Sequence, residues 1–329
     1  MSGRQVSVVI PTFNRAAFLR AAVASVRAQT RPCAEIVIVD DGSTDDTAQV
    51  SQSFGPDVRY FKQANAGPAA ARNRGLREAS GDWVAFLDTD DRWLPDKLAL
   101  QIGVIERHPS VALVCADMAI EDETGTRLVD SNFALRGLQD FLAGLDGRPV
   151  PGAPALMLKV NFINTSTVLA RRDVLIEMNG FDPRLRYGED LELWLRIAAR
   201  HPVACVASVQ EIRVEHASNV TKSVEPMLLG YVRMAEVIRE WARALMPAWG
   251  LDADRYVAEC LADLGYWYFT QDRMREASAA FHRSLREKPT ARAGMYGIAA
   301  RLPGPLIGLI RRAKAAPVPG SAADFVGRA

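Results

Sequence analysis

Gly81-Asp82-Trp83-Val84-Ala85-Phe86-Leu87-Asp88-Thr89-Asp90-Asp91 is an apolar run that ends abruptly in acid. Trp83 to Leu87 contains no polar residue, as expected of a strand covered on both faces of a parallel sheet. Three carboxylates then fall within four residues. Burying them unpaired would cost several kcal/mol, so sheet stability does not explain them. Carboxylates at the C-terminal end of a strand call for a cation, and in open α/β sheets ligands bind at that edge. Asp-x-Asp offers hard oxygen donors, which suit Mg²⁺ or Mn²⁺ rather than zinc. Taken alone, the pattern also fits a solvated acidic turn ahead of the helix that begins near Leu94-Pro95, so the flanking chain decides between the two.

Upstream, Gln5 to Ile10 and Ile36 to Val39 are β-branched, buried-strand runs, and Val58 to Phe61 is a shorter one. Helical patterns at Ala16–Gln29, Asp46–Phe54 and Ala69–Ala79 separate them. Strand and helix alternate through the acidic run, which predicts an α/β fold with a doubly wound, mostly parallel sheet. The loops after residues 10, 39 and 87 then share one sheet edge. Thr12, Asp41, Asp88 and Asp90 should therefore converge although they are far apart in the chain.

Downstream, the spacing predicts a helix over Asp96–His108 and a strand over Val111–Ala116. Residues 121–155, rich in Gly and Pro, read as an irregular insertion facing an acceptor. A strand over Asn161–Leu169, a helix over Asp173–Met178 and a loop carrying Gly188-Glu189-Asp190 follow. The segment ends with a helix over Leu191–Arg200, a strand over Val203–Val209 and an extended piece from Ile212 to His216. From about Pro226 the pattern turns helical. The expected divisions are a sheet domain over 1–225, a small all-α region over 226–300, and an amphipathic segment with a disordered tail over 301–329. Within the helical region, Leu261-x-x-Leu264-Gly265-x-x-Tyr268, Ala277-x-x-x-Phe281 and Pro289 resemble a single tetratricopeptide repeat.

An apolar content of 49% supports a sizeable core, and a net charge of +1 gives no global attraction to nucleic acid or membrane. The four cysteines are widely spaced and form no Cys-x-x-Cys pair, so they read as reduced thiols of a cytoplasmic protein. No apolar run is long enough for a spanning helix. Leu302 to Arg312 is apolar with a basic end. It is expected to pack on the helical region, or to make a peripheral contact with the inner face of a membrane.

The first two thirds of the chain resemble a family 2 glycosyltransferase of the GT-A fold, the nucleotide-diphospho-sugar transferase type. The motifs that carry the resemblance are Val8-Val9-Ile10-Pro11-Thr12-Phe13-Asn14-Arg15, Val39-Asp40-Asp41-Gly42-Ser43-Thr44-Asp45 and Asn65-Ala66-Gly67 with Ala71-Arg72-Asn73. Phe86-Leu87-Asp88-Thr89-Asp90-Asp91 and Gly188-Glu189-Asp190 complete them. The resemblance implies transfer of a sugar from a nucleotide-diphosphate sugar, UDP-linked in expectation, to a hydroxyl of a glycan or lipid-linked acceptor, with inversion. It further implies that Pro11, Thr12 and Phe13 wall the base, that Asp41 and Asn65 contact it, and that Arg72 reaches the nucleotide. Phe13 stands where the family often has Tyr.

By the same resemblance, Asp88 and Thr89 lie at the donor, and Asp90 binds Mn²⁺ or Mg²⁺ with Asp88 nearby. His216 returns to the metal within an Arg-x-x-His pattern formed with Arg213 and followed by Ser218. Asp190 takes the role of general base, with Glu189 as its neighbour at the acceptor; both also fit plain first-turn acids favoured by the helix dipole. Two other readings compete. A nucleotidyltransferase would want a Gly-rich basic loop where Pro11-Thr12-Phe13-Asn14 stands. A non-catalytic nucleotide-sugar-binding or helical scaffold would work through the C-terminal helices and a protein partner.

Overall fold

The computed structural model describes residues 4–216, 219 and 223–300. Nine strands among them form one sheet: β1 Val6–Thr12, β2 Glu35–Asp40, β3 Val58–Lys62, β4 Trp83–Phe86, β5 Arg92–Trp93, β6 Leu113–Asp122, β7 Arg127–Val129, β8 Leu169–Arg171 and β9 Val203–Glu215. Their order is β3-β2-β1-β4-β8-β6-β9-β5, with β7 added to β6. The β3-β2-β1-β4 half is parallel, with Val8 opposite Ile36 on one side and Ala85 on the other. This is the doubly wound half that the alternation predicts.

The second half is mixed. β8 enters antiparallel between β4 and β6, β9 runs parallel to β6, and β5 closes the edge antiparallel to β9. Helices α1 (Ala16–Arg27), α2 (Thr47–Gln52) and α3 (Pro68–Glu78) connect the parallel strands. α1 buries Leu19, Ala22, Val23 and Val26, the i, i+3, i+4, i+7 stripe of an amphipathic helix, in the core with Val8, Ile10, Ile36 and Ile38. α4 (Lys97–Arg107) adds Leu98, Ile102 and Ile105 to the same core.

Three expectations change. Residues 121–155 are not irregular: they hold β7 and the short helices α5 (Asn132–Leu135), α6 (Gln139–Leu145) and α7 (Ala153–Lys159). Ser131 caps α5 by accepting the Ala134 N–H. Residues 161–169 are not one strand. Asn164 Oδ1 accepts the Ser166 N–H at 2.9 Å and the Thr167 hydroxyl donates to the Asn164 carbonyl at 2.7 Å, so a 3-10 turn forms over Thr165–Thr167. Local side-chain bonds of this kind compete with a ladder. Residues 203–215 form one strand rather than two pieces, and the register shifts around Asp117 mark an irregularity that lets it continue. Helices α8 (Arg172–Glu177) and α9 (Glu189–Ala198) complete this unit.

The chain divides into compact units between Asn219 and Val220. The second unit contains α10 (Val224–Ala242), α11 (Ala253–Thr270), α12 (Met274–Glu287) and α13 (Ala291–Ala299). It has a core of its own around Leu261, Phe269, Phe281 and Tyr296. A Cβ on Gly265 would lie 2.9 Å from the Phe281 ring, so only glycine permits this approach of α11 to α12. No helix of the described residues is long and apolar enough to cross a membrane. The segment from Leu302 to Arg312, the remainder of 301–329 and Ser218 lie outside the described residues.

Candidate functional site

The parallel half delivers two loops to one edge and stitches them together. The Asp41 N–H donates to the Thr12 carbonyl at 2.8 Å. Asp41, 4% exposed, turns its carboxylate to the next loop: Oδ1 accepts from Gln63 Nε2 at 2.7 Å and from the Ala66 N–H at 3.0 Å, and Oδ2 from the Gly67 N–H at 2.7 Å. Asp41 is thus the organiser of the Asn65-Ala66-Gly67 turn, and one lone pair of Oδ2 remains for a ligand N–H. Gly42, at φ +87°, would place a Cβ 2.9 Å from the Asn65 backbone nitrogen. The left-handed backbone and the close approach both demand glycine. Asn65 and Phe13 are exposed beside this turn, and the Thr89 hydroxyl donates to the Pro11 carbonyl at 2.6 Å. The Thr12 hydroxyl is buried with no partner among the described residues. Pro11, Thr12, Phe13, Asp41, Asn65 and Thr89 are therefore brought to one place.

Arg72 ties this edge to a distant loop. It lies in the second turn of α3, and only 5% of it is exposed. Nη2 meets Asp88 Oδ1 at 2.7 Å and Nη1 meets Glu189 Oε1 at 2.8 Å, with the guanidinium 5.5 Å from the Phe181 ring centre. Burial works against its charge, but Asp88 and Glu189 more than restore it and hold its pKa above the usual arginine value. Burial pushes Glu189 up to about 7; Arg72 opposes that shift and the charge of Asp190 adds to it. Asp190, at the start of α9, accepts from the Thr165 hydroxyl at 3.0 Å through Oδ2 and from the Leu191 N–H at 2.7 Å through Oδ1.

Asp90 faces His216 and Arg15. Its Oδ2 lies 2.9 Å from His216 Nε2 and 3.8 Å from Arg15 Nε. His216 is 3% exposed, stacks on Phe18 with ring centres 4.9 Å apart, and is held through its backbone N–H by Asn219 Oδ1 at 2.6 Å. A carboxylate oxygen and an imidazole nitrogen converging on one point fit Mn²⁺ or Mg²⁺, with Mn²⁺ the more tolerant of nitrogen. Asp88 fits less directly, because Oδ1 is committed to Arg72. Among the described residues no three His, Cys, Asp or Glu side chains form a ready-made cage.

Beneath the edge lies a buried layer that the motifs do not reveal. Ser166 Oγ donates to Asp91 Oδ2 at 2.7 Å and accepts the Asp88 N–H at 3.0 Å. Burial, then the charges of Asp90 and Asp88, push Asp91 up to about 7. Glu211 on β9 is fully buried, and its two oxygens meet no donor among the described residues. Burial and the facing Asp91 carboxylate drive its pKa well above the ordinary carboxylate range. Lys97, lowered to about 7 by burial, lies 3.9 Å from the Trp93 ring centre and donates to Gln101. Asp91 is the third acid of its run, whereas Glu211 falls between the two extended pieces expected over 203–209 and 212–216, and only their merging into β9 brings it to this layer. Asp40, which accepts from the Ser43 N–H and the Tyr60 hydroxyl, is structural.

A mixed sheet of this order with an acidic C-terminal edge is that of a GT-A-type α/β protein. The chain belongs to glycosyl transferase family 2, whose model matches residues 7–177. An uncharacterized glycosyltransferase of Rickettsia felis is 30% identical over 71% of this chain, which spans only 37% of that relative's length. A putative teichuronic acid biosynthesis glycosyltransferase of Bacillus subtilis is 30% identical over 67% of this chain and 84% of its own. Among solved structures, Staphylococcus aureus TarS 1–349 in complex with UDP-GlcNAc aligns with a TM-score of 0.63 at 19% identity, covering 94% of this chain and 87% of that one. A Pyrobaculum calidifontis mannosyltransferase in complex with GDP-Man and Mn²⁺ aligns at 0.58 and 19% identity, covering 93% and 83%.

Proposed function

We propose that this chain is an inverting glycosyltransferase that moves a sugar from a UDP-sugar to a hydroxyl of a glycan or lipid-linked acceptor. The observation that carries the reading is the Arg72 bridge: one buried guanidinium joins Asp88 of the Asp-x-Asp loop to Glu189, and so sets Asp190 beside the donor loop. Asp190 takes the proton of the acceptor hydroxyl. The freed oxygen pair forms a bond to the anomeric carbon on the face away from the diphosphate, and the old C–O pair leaves with the nucleotide diphosphate. One base suffices, and no enzyme nucleophile is needed.

Pro11, Thr12, Phe13, Asp41 and Asn65 hold the base, and Asp88 and Thr89 lie at the ribose and diphosphate. Arg72 serves as the internal counter-ion of the edge rather than as a nucleotide ligand. Asp90 and His216 hold Mn²⁺ or Mg²⁺, which when bound neutralises charge on the leaving diphosphate. The UDP-GlcNAc and Mn²⁺ in the neighbours' complexes support the donor class and the metal. The B. subtilis relative's name supports polysaccharide assembly as the setting. We read α11 and α12 as a single tetratricopeptide-like repeat, supported by Gly265 beneath Phe281, that offers a surface to a protein partner.

The test pairs nucleotide binding with turnover. Asp190→Asn should keep UDP affinity in Mn²⁺ and lose at least ~10²-fold in UDP release. Proton NMR of the product should show the inverted anomer. Binding of UDP-sugars with no turnover on any of them would favour the non-catalytic reading.

A further inference from the structure

The 3-10 turn over Thr165–Thr167 touches both working parts of the site. The Thr165 hydroxyl donates to Asp190 Oδ2 at 3.0 Å. The adjacent Ser166 accepts the Asp88 N–H at 3.0 Å, donates to Asp91 Oδ2 at 2.7 Å, and accepts the Trp93 indole N–H on its carbonyl at 2.7 Å. Thr165 is 3% exposed and Ser166 is fully buried. The turn is itself anchored from below, because Gln101 Nε2 donates to the Thr167 carbonyl at 2.7 Å.

We propose that Thr165 and Ser166 are positioning residues for transfer, and that this one turn sets the separation between base and donor. The proposal rests on Asp190 as the base and on the Asp-x-Asp loop as the donor site. A carboxylate with one donor on each oxygen, here Thr165 and the Leu191 N–H, cannot rotate freely. Each oxygen keeps a second lone pair, so the carboxylate can still accept the substrate proton. Ser166 does the equivalent for the donor loop by holding the backbone of Asp88 from beneath. Adjacent residues of one tight turn have little freedom to move apart, so the two halves stay in register.

The two hydroxyls should then divide the kinetics between them. The full-length chain and its Thr165→Val, Thr165→Ser, Ser166→Ala and Asp190→Asn variants are compared. UDP binding in Mn²⁺ is measured by calorimetry, and UDP release is measured with the UDP-sugar that the unaltered protein turns over fastest. Thr165→Val should lower kcat by ~10²-fold with UDP affinity unchanged, since misplacement of a reacting group by about 1 Å costs that much. Thr165→Ser should restore most of the rate. Ser166→Ala should weaken UDP binding by about 3- to 10-fold, the worth of one hydrogen bond. Unchanged kcat in Thr165→Val alongside an inactive Asp190→Asn would overturn the proposal alone, as would both variants shifting rate and affinity together. Turnover surviving in Asp190→Asn, or absent from the unaltered protein with every UDP-sugar, would instead remove the base or the enzyme reading beneath it.

Discussion

Arg72, itself buried, stands between the buried Glu189 and an Asp88 whose side chain is 33% exposed. Removing Arg72 leaves Glu189 as a buried carboxylate without its partner, which typically costs about 3–5 kcal/mol. Arg72→Met, which keeps the volume, should therefore lower stability by about that amount in urea unfolding even though no apolar contact is lost. Glu35 shows the opposite balance. Burial raises its pKa, but hydrogen bonds from Ser80, Arg59 and Ser7 outweigh this and hold it at about 2, against an ordinary value of 4.5. Its folded pKa is depressed, so its stabilisation is fully present above pH 4.5 and fades as the pH falls toward 2. Glu35→Gln should lower the urea midpoint at pH 6, and the gap to the unaltered protein should narrow at pH 3 and close only as the pH falls through about 2. Asp41, Asp88 and Asp90 were legible in the sequence because carboxylates directly follow apolar strands. The part played by Arg72 was not, since its partner Glu189 lies 117 residues away and helical spacing says nothing about such a pair.

At the scale of elements, the parallel strands could be read because β1, β2 and β4 are dominated by apolar residues and lie between helices of clear period. β8 could not. It is three residues long, and the hydroxyl-rich stretch before it has the composition of a strand but folds locally into a turn. Because β8 runs antiparallel to β4, the site-facing residues precede it in sequence, and a search of the loops after strands passes over Thr165 and Ser166. In the helical unit, Gly265 of α11 lies directly against the Phe281 ring of α12. Gly265→Val should overpack that contact and cost about 1–3 kcal/mol, seen as a lower unfolding midpoint. Gly265→Val combined with Phe281→Leu should lose less than the sum of the two single changes, because the smaller side chain relieves the clash.

For the whole molecule, the two compact units each have their own apolar core, the condition for independent folding. A fragment ending at Asn219 should unfold cooperatively on its own, with sheet and helix signals in circular dichroism lost together. That unit also has an assembly order implied by ties between distant parts of the chain. Asp90 meets His216 across 126 residues of chain. At a synthesis rate of about 5–20 residues per second, roughly 6–25 s separate the making of these two residues on the ribosome. Throughout that interval the nascent chain carries the Asp-x-Asp loop without the histidine that faces it. The acidic edge is thus the last part of the sheet unit to be completed, and a chain released early would retain the parallel half while lacking β9.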